Sequence, residues 1–147
     1  LFFPLPQRKQ EPAMSEKLAT MTRMIESWKR RDADGFLACM TDDIEYYWHV
    51  GSKPVIGKEK MRKFLTNYGG AYDQKAWRVL NHAEKDDLLL VEGHEELYDV
   101  KHDRLIQQPF MQAMEFRGGL IAKLRDYYEP ANLRAPSNDA ANAATGA

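Results

Sequence analysis

Apolar residues at three- and four-residue spacing open the chain. Leu18, Met21, Met24, Ile25 and Trp28 fall on one face of a helix predicted over Ser15 to Arg31. Ser15 is placed to cap it, and Lys29, Arg30 and Arg31 sit where the helix dipole favours positive charge. After Asp32-Ala33-Asp34-Gly35, a short second helix is predicted over Phe36 to Met40. The period then changes to two. Ile44 to Val50 reads as a strand, with Ile44, Tyr46, Trp48 and Val50 on one face and Glu45, Tyr47 and His49 on the other. A loop containing Pro54 and Gly57 leads to a third helix, Lys58 to Tyr68, striped by Met61, Phe64 and Leu65 and stopped by Gly69-Gly70. Strands account for most of the remaining chain: Ala76 to His82, Leu88 to Val100, Arg104 to Gln108, Phe110 to Arg117 and Leu120 to Glu129. Helices come first and antiparallel strands come after them, so the class is α+β.

Two carboxylates interrupt otherwise apolar strand faces. Leu120, Ala122, Leu124, Asp126 and Tyr128 share one face of the last strand, while Ile121, Lys123, Arg125 and Tyr127 share the other. Asp126 is therefore either paired at the rim of a core or lining a cavity. Leu89, Val91, Gly93, Glu95 and Leu97 form the apolar face of an earlier strand, and Glu95 repeats the pattern. That register is preferred, although a bulge at Gly93 would turn Glu96 inward instead. Two acids on inner walls could share a proton, and burial would raise at least one pKa, which suits general acid–base work.

Composition narrows the function classes. A chain of 147 residues is expected to form one domain, here 15–133, with an extension at 1–14 and a disordered, small-residue tail at 134–147. A net charge of −1 calls for neither nucleic acid nor a membrane surface, and no apolar run approaches the ~20 residues of a membrane span. The single cysteine, Cys39, excludes an internal disulfide and suggests a reducing, cytoplasmic setting. His82, His94 and His102 lie near acids without a metal-ligand spacing such as His-Glu-x-x-His, so no metal is expected. Nothing reads as a phosphate loop or a nucleophile elbow, and no cofactor is expected.

Three stretches carry a family resemblance. They are Arg31 to Gly35 with Phe36 and Met40 to Ile44; Val50 to Pro54 leading to Gly57-Lys58-Glu59; and Phe116 to Ile121 running to Leu124-Arg125-Asp126-Tyr127-Tyr128. In order and spacing they resemble the nuclear transport factor 2-like superfamily, which includes SnoaL-like polyketide cyclases, limonene epoxide hydrolases and ketosteroid isomerases. The resemblance implies a cone-shaped curved antiparallel sheet, an α+β barrel, packed on three N-terminal helices around an apolar pocket. It also implies a homodimer through the outer sheet face. Asp126 matches the aspartate of the epoxide hydrolases' Arg-Asp-Tyr run. Their water-holding Tyr-x-Asn pair falls on Tyr47 and His49, and their Arg-x-Asp pair on Gly93 and Glu95, or on His94 and Glu96, with no arginine in either register. Trp48 stands where the isomerases place their general base and Gln112 near their protonated aspartate, which argues against ketosteroid isomerase chemistry.

The expected function is general acid–base chemistry on a small hydrophobic, oxygen-bearing molecule: isomerisation, aldol-type cyclisation or epoxide hydration. Asp126 and Glu95 are the principal catalytic candidates, with His49 and Tyr47 orienting water or substrate. Tyr128, Trp28, Trp48, Phe64, Met114 and Gln112 are the candidates for substrate binding. The rival expectation is a non-catalytic ligand-binding or interaction module of the same fold.

Overall fold

The computed structural model describes residues 13–134. The expected extension and tail lie almost wholly outside the described residues.

Helix α1 spans Glu16–Lys29, and Ser15 Oγ accepts from the Leu18 backbone N–H at 3.1 Å. Its buried face carries Met21, Met24 and Ile25. Helix α2 is Ala33–Leu37 rather than Phe36 to Met40. Asp32 caps it through the Gly35 N–H at 2.9 Å, so the Asp-Ala-Asp-Gly run starts the helix instead of merely separating two. Met40 already belongs to strand β1, Met40–Tyr47, and the short β2, Val55–Ile56, comes next. Helix α3, Lys58–Ala71, continues through the glycines expected to stop it. Gly69 is there for packing: a Cβ on it would lie 3.3 Å from the Trp28 ring.

Strands β3 (Tyr72–Lys85), β4 (Leu88–Asp99), β5 (Arg104–Arg117) and β6 (Leu120–Tyr127) complete a sheet of order β2-β1-β6-β5-β4-β3. The sheet is curved and open. It is mixed rather than wholly antiparallel, because β1 pairs with β6 in parallel. The expected break between Gln108 and Phe110 is absent, and β5 runs straight through Pro109. Pairing between β5 and β6 ends at Met111 opposite Tyr127, so at Pro109 the strand has β4 on one side only, and such an edge tolerates a missing N–H. Irregularities in the β3–β4 register near Lys75 and Leu80, and in β5–β6 between Glu115 and Phe116, bend these long strands around the helices. The last one also resets side-chain alternation. Ile121, expected on the outer face, is fully buried with Met114 and Leu89 in the core.

The helices pack against the concave face, and their apolar stripes meet those of β1, β4, β5 and β6. A 3-10 turn, η1 (Pro130–Leu133), then folds back over the open end. Tyr72 donates its hydroxyl proton to the Leu133 carbonyl at 3.1 Å, and Asn132 donates to Gln108 Oε1 at 3.1 Å. Among the described residues no helix is long and apolar enough to cross a membrane.

Gly93 sits where β4 is approached closely from both sides, by a β3 carbonyl and a β5 ring. A Cβ built there would lie 1.9 Å from the Arg78 carbonyl oxygen and 2.6 Å from Phe110 Cζ. The Phe110 ring thus occupies the space above the glycine. Gly93→Ala should cost about 1–3 kcal/mol or more, as overpacking does. Phe110→Leu should not rescue it, because the nearer obstacle is backbone. Chemical denaturation checks this; a midpoint unchanged from wild type would show that the strand relaxes freely there.

Candidate functional site

The inner face of β5 reads Ile106, Gln108, Phe110, Gln112 and Met114, by strand alternation. Its two glutamines reach across to opposite neighbours. Gln112 faces Asp126 on β6 and donates from Nε2 to Asp126 Oδ1 at 2.5 Å. Gln108 faces Glu95 on β4 and donates from Nε2 to Glu95 Oε1 at 2.6 Å. Phe110 stands on the row between them, opposite Gly93.

Both acids line one cavity of about 650 Å³, its mouth included. Nine of its seventeen lining residues are aromatic, and all three tryptophans of the chain, Trp28, Trp48 and Trp77, are among them. Helix α3 contributes Phe64 and Tyr68, β1 contributes Tyr46, and the segment after β6 contributes Tyr128 and Leu133. The rings brace one another. Tyr46 meets Phe64 edge-on at 5.2 Å between centroids, and Phe64 stacks on Tyr68 at 5.9 Å. Among the described residues no lysine, arginine or histidine lines the cavity.

Asp126 is the most perturbed acid. Burial pushes its carboxyl up from the ordinary 3.8 to about 7. The Tyr46 hydroxyl, donated to Oδ2, and the Gln112 amide pull the other way, and the charge of Glu95 adds a further upward push. The raised value means that desolvation outweighs both hydrogen bonds. Glu95 is pushed up by burial as well, against donors from Gln108 and Gln74. The hydroxyls of Tyr46 and Tyr68 are driven well above the ordinary phenol value, first by burial and then by the acids beside them. Tyr128 rises for the same reasons. All three phenols stay protonated and can donate.

One acceptor is left over. Gln112 is 6% exposed and its Oε1 has no hydrogen-bond partner. An unpaired buried acceptor costs on the order of 1–3 kcal/mol, so an O–H or N–H entering beside Asp126 would be held there.

Asp126 and Glu95 therefore both face the cavity, in the preferred register, with Glu96 turned outward toward Gln107 and Arg78. No direct hydrogen bond between the two carboxyls is present among the described residues. Asp126 is level with Val91 on β4, four residues from Glu95, roughly 13 Å along the strand. Each acid has its own glutamine, and Phe110 rises between the two rows. Trp28, Trp48, Phe64, Gln112 and Tyr128 line the cavity, whereas Met114 lies behind it, fully buried in the core.

Tyr47 and His49 do not line the cavity. Tyr47 is level with Arg125, whose side chain reaches Glu115, and His49 Nδ1 bonds to the Val50 carbonyl at 2.9 Å. The face presented inward is that of Tyr46 and Trp48, one residue out of step with the expected assignment. The signal was available: Ile44, Tyr46 and Trp48 form the apolar face of the strand, and the tyrosine on it is the one that reaches Asp126. Tyr68, Trp77 and Gln74 were also missed. Gln74 and Trp77 belong to a stretch of β3 whose register shifts hide the period, and Tyr68 lies one helical turn beyond Phe64 on α3. Among the described residues no three of histidine, cysteine, aspartate and glutamate gather as a metal site would require.

A family model described as SnoaL-like domain matches residues 21–124. No curated protein sequence matches the chain. Among solved structures, a nuclear transport factor 2-like protein of unknown function from Burkholderia pseudomallei is similar, with a TM-score of 0.72 at 18% identity over 82% of this chain and 95% of that one. TerC, co-crystallised with polyporic acid, gives 0.70 at 16% identity over 81% and 95% of the two chains. An M. tuberculosis epoxide hydrolase described as LEH-like gives 0.68 at 19% over 82% and 88%. At these identities the likeness is one of fold.

The native state holds the Asp126 proton more tightly than the unfolded chain does, since its carboxyl is raised from 3.8 to about 7. Stability should therefore fall as pH rises through that window and level off above it, by at most about 4 kcal/mol. Glu95, shifted the same way, adds to the slope. Asp126→Asn should lose the Asp126 part of this fall, because asparagine has no proton to release over this range. Denaturant unfolding at about pH 4.5 and about pH 8 checks it. Equal falls in wild type and variant would mean that Asp126 titrates like a surface carboxylate.

Proposed function

The chain belongs to the SnoaL-like domain family, and from that membership and the geometry of its cavity we propose that it is an enzyme. Asp126 is its general acid–base group, and it acts on a small, largely hydrophobic molecule that carries oxygen. The observation that carries this reading is a carboxyl raised to about 7 in an aromatic cavity, next to an unpartnered acceptor. Near neutral pH such a group is ionised in a large fraction of molecules and can both take and return a proton. Tyr46 and Gln112 fix its position and leave its remaining lone pairs facing the cavity.

The chemistry that asks least of this arrangement is proton transfer next to a carbonyl, as in isomerisation or aldol-type cyclisation. A C–H proton passes to the Asp126 carboxylate and the electron pair moves onto the carbonyl oxygen. For isomerisation the proton is then returned at another carbon. For cyclisation the carbon attacks a second carbonyl, and the proton goes to the oxygen formed there. The Tyr68 and Tyr128 hydroxyls, which stay protonated, are the donors available to the developing oxyanion. Epoxide hydration by two acids joined through an arginine is less well served. Gly93 stands at the arginine position, and the Phe110 ring fills the space above it. A single-acid hydration, with water held between Asp126 and Gln112 Oε1, is compatible with the geometry.

Asp126→Asn should lower turnover of a reactive ketone or epoxide by about 10²–10⁴-fold, the usual worth of a positioned acid–base group, with the fold intact by circular dichroism. If Asp126 acts as the base, wild-type rate should rise with pH through about 7 and then level off, tracking its ionisation. Unchanged turnover in a folded variant would leave the non-catalytic ligand-binding reading in its place.

A further inference from the structure

The cavity has two polar stations, and the chemistry proposed above uses only one. At the other, Glu95 is level with Trp77 on β3 and Gln108 on β5. Both Trp77 and Glu95 line the cavity. Glu95 accepts from Gln108 at 2.6 Å and more weakly from Gln74 at 3.5 Å. Both partners are neutral amides. A carboxylate accepts at about four lone-pair sites, so acceptor capacity toward the cavity remains. Gln108 is itself pinned from behind, being 1% exposed and accepting from Asn132 at 3.1 Å. The carboxylate is thus held in a fixed direction with no countercharge among the described lining residues. The ionisable groups that face it are Tyr68, Tyr128 and Asp126, none of them a cation, while His94 lies behind it on the opposite face of β4.

The other station of the same cavity also lacks a donor. Gln112 Oε1, nine-tenths buried in the same cavity, is an acceptor without a donor. At Glu95, a carboxylate with only neutral amide partners, the missing partner is one that brings donors and positive charge. A protonated amine has up to three N–H donors and no acceptor, and aromatic faces such as that of Trp77 attract it.

We propose that the substrate carries a basic nitrogen, bound as an ammonium group by Glu95 against Trp77, with the remainder of the molecule passing Phe110 to reach Asp126. The cavity would then discriminate against carboxylates and phosphates, whose charge both acids repel. This rests on the reading of the cavity as a substrate site, and it assigns Glu95 to anchoring and Asp126 to proton transfer.

Three probes of one shape separate the possibilities: benzylamine, benzyl alcohol and benzoate. All three tryptophans line the cavity, so intrinsic fluorescence reports occupancy without any turnover. Benzylamine at about pH 7.5 should bind at least tenfold more tightly than benzyl alcohol, and benzoate most weakly. Glu95→Gln should bring benzylamine to within about twofold of the alcohol while leaving alcohol binding in place, and Glu95→Asp should retain part of the preference. Equal or tighter binding of alcohol or benzoate by the wild-type protein would overturn the proposal, and that comparison needs no variant. So would an amine preference that survives Glu95→Gln. Because the readout is binding, an amine preference without Asp126-dependent turnover would sink the catalytic reading alone. Turnover without the preference would sink only this inference.

Discussion

The structure depends on keeping a carboxyl group inside an apolar cone. Asp126 closes the inner face of β6, the strand that pairs in parallel with β1 on one side and antiparallel with β5 on the other. Its oxygens are held by Tyr46 from one neighbouring strand and Gln112 from the other. Those two hydrogen bonds stabilise the ion, yet burial outweighs them and the proton is retained up to about pH 7. A fully compensated carboxylate would be an inert structural element, and an uncompensated one would not be tolerated at all. The group lies between these limits, where an acid can exchange protons under ordinary conditions.

The curvature that builds the cone also separates its two acids. Gly93 admits the Arg78 carbonyl and the Phe110 ring into space a side chain would fill. Phe110 then divides the inner wall into a station at Asp126 and a station at Glu95, each served by a glutamine two residues away on β5. The same glycine marks the absence of the arginine that would couple two acids in the epoxide hydrolase pattern. The backbone feature that shapes this wall therefore also sets the two acids apart, each beside its own glutamine.

Much of the fold was legible because the period of apolar residues switches between helical and alternating at each element, helical in α1 and α3 and alternating in β1 and most of the later strands. Asp126 and Glu95 were legible for the same reason, as charges on otherwise apolar faces. Irregular backbone hid the rest. The β6 irregularity turned Ile121 inward, and the β3 register shifts concealed Trp77 and Gln74. The parallel pairing of β1 with β6 is a long-range choice that no local pattern records. Along β1 and the residue just past it, the alternation puts Tyr46 and Trp48 on the apolar face, and that is the face turned inward. The resemblance to the epoxide hydrolases points instead to Tyr47 and His49, one residue away and facing outward. There the physical pattern was the better guide.

The most direct measurement is a carboxyl ¹³C titration of Asp126, assigned by comparison with Asp126→Asn. An inflection near pH 7 is expected in the wild-type protein. A higher one is expected in Tyr46→Phe, where a hydrogen bond that favours the ion is lost. An inflection near the ordinary aspartate value of ~4, unmoved by the Tyr46 substitution, would contradict a buried, proton-exchanging Asp126.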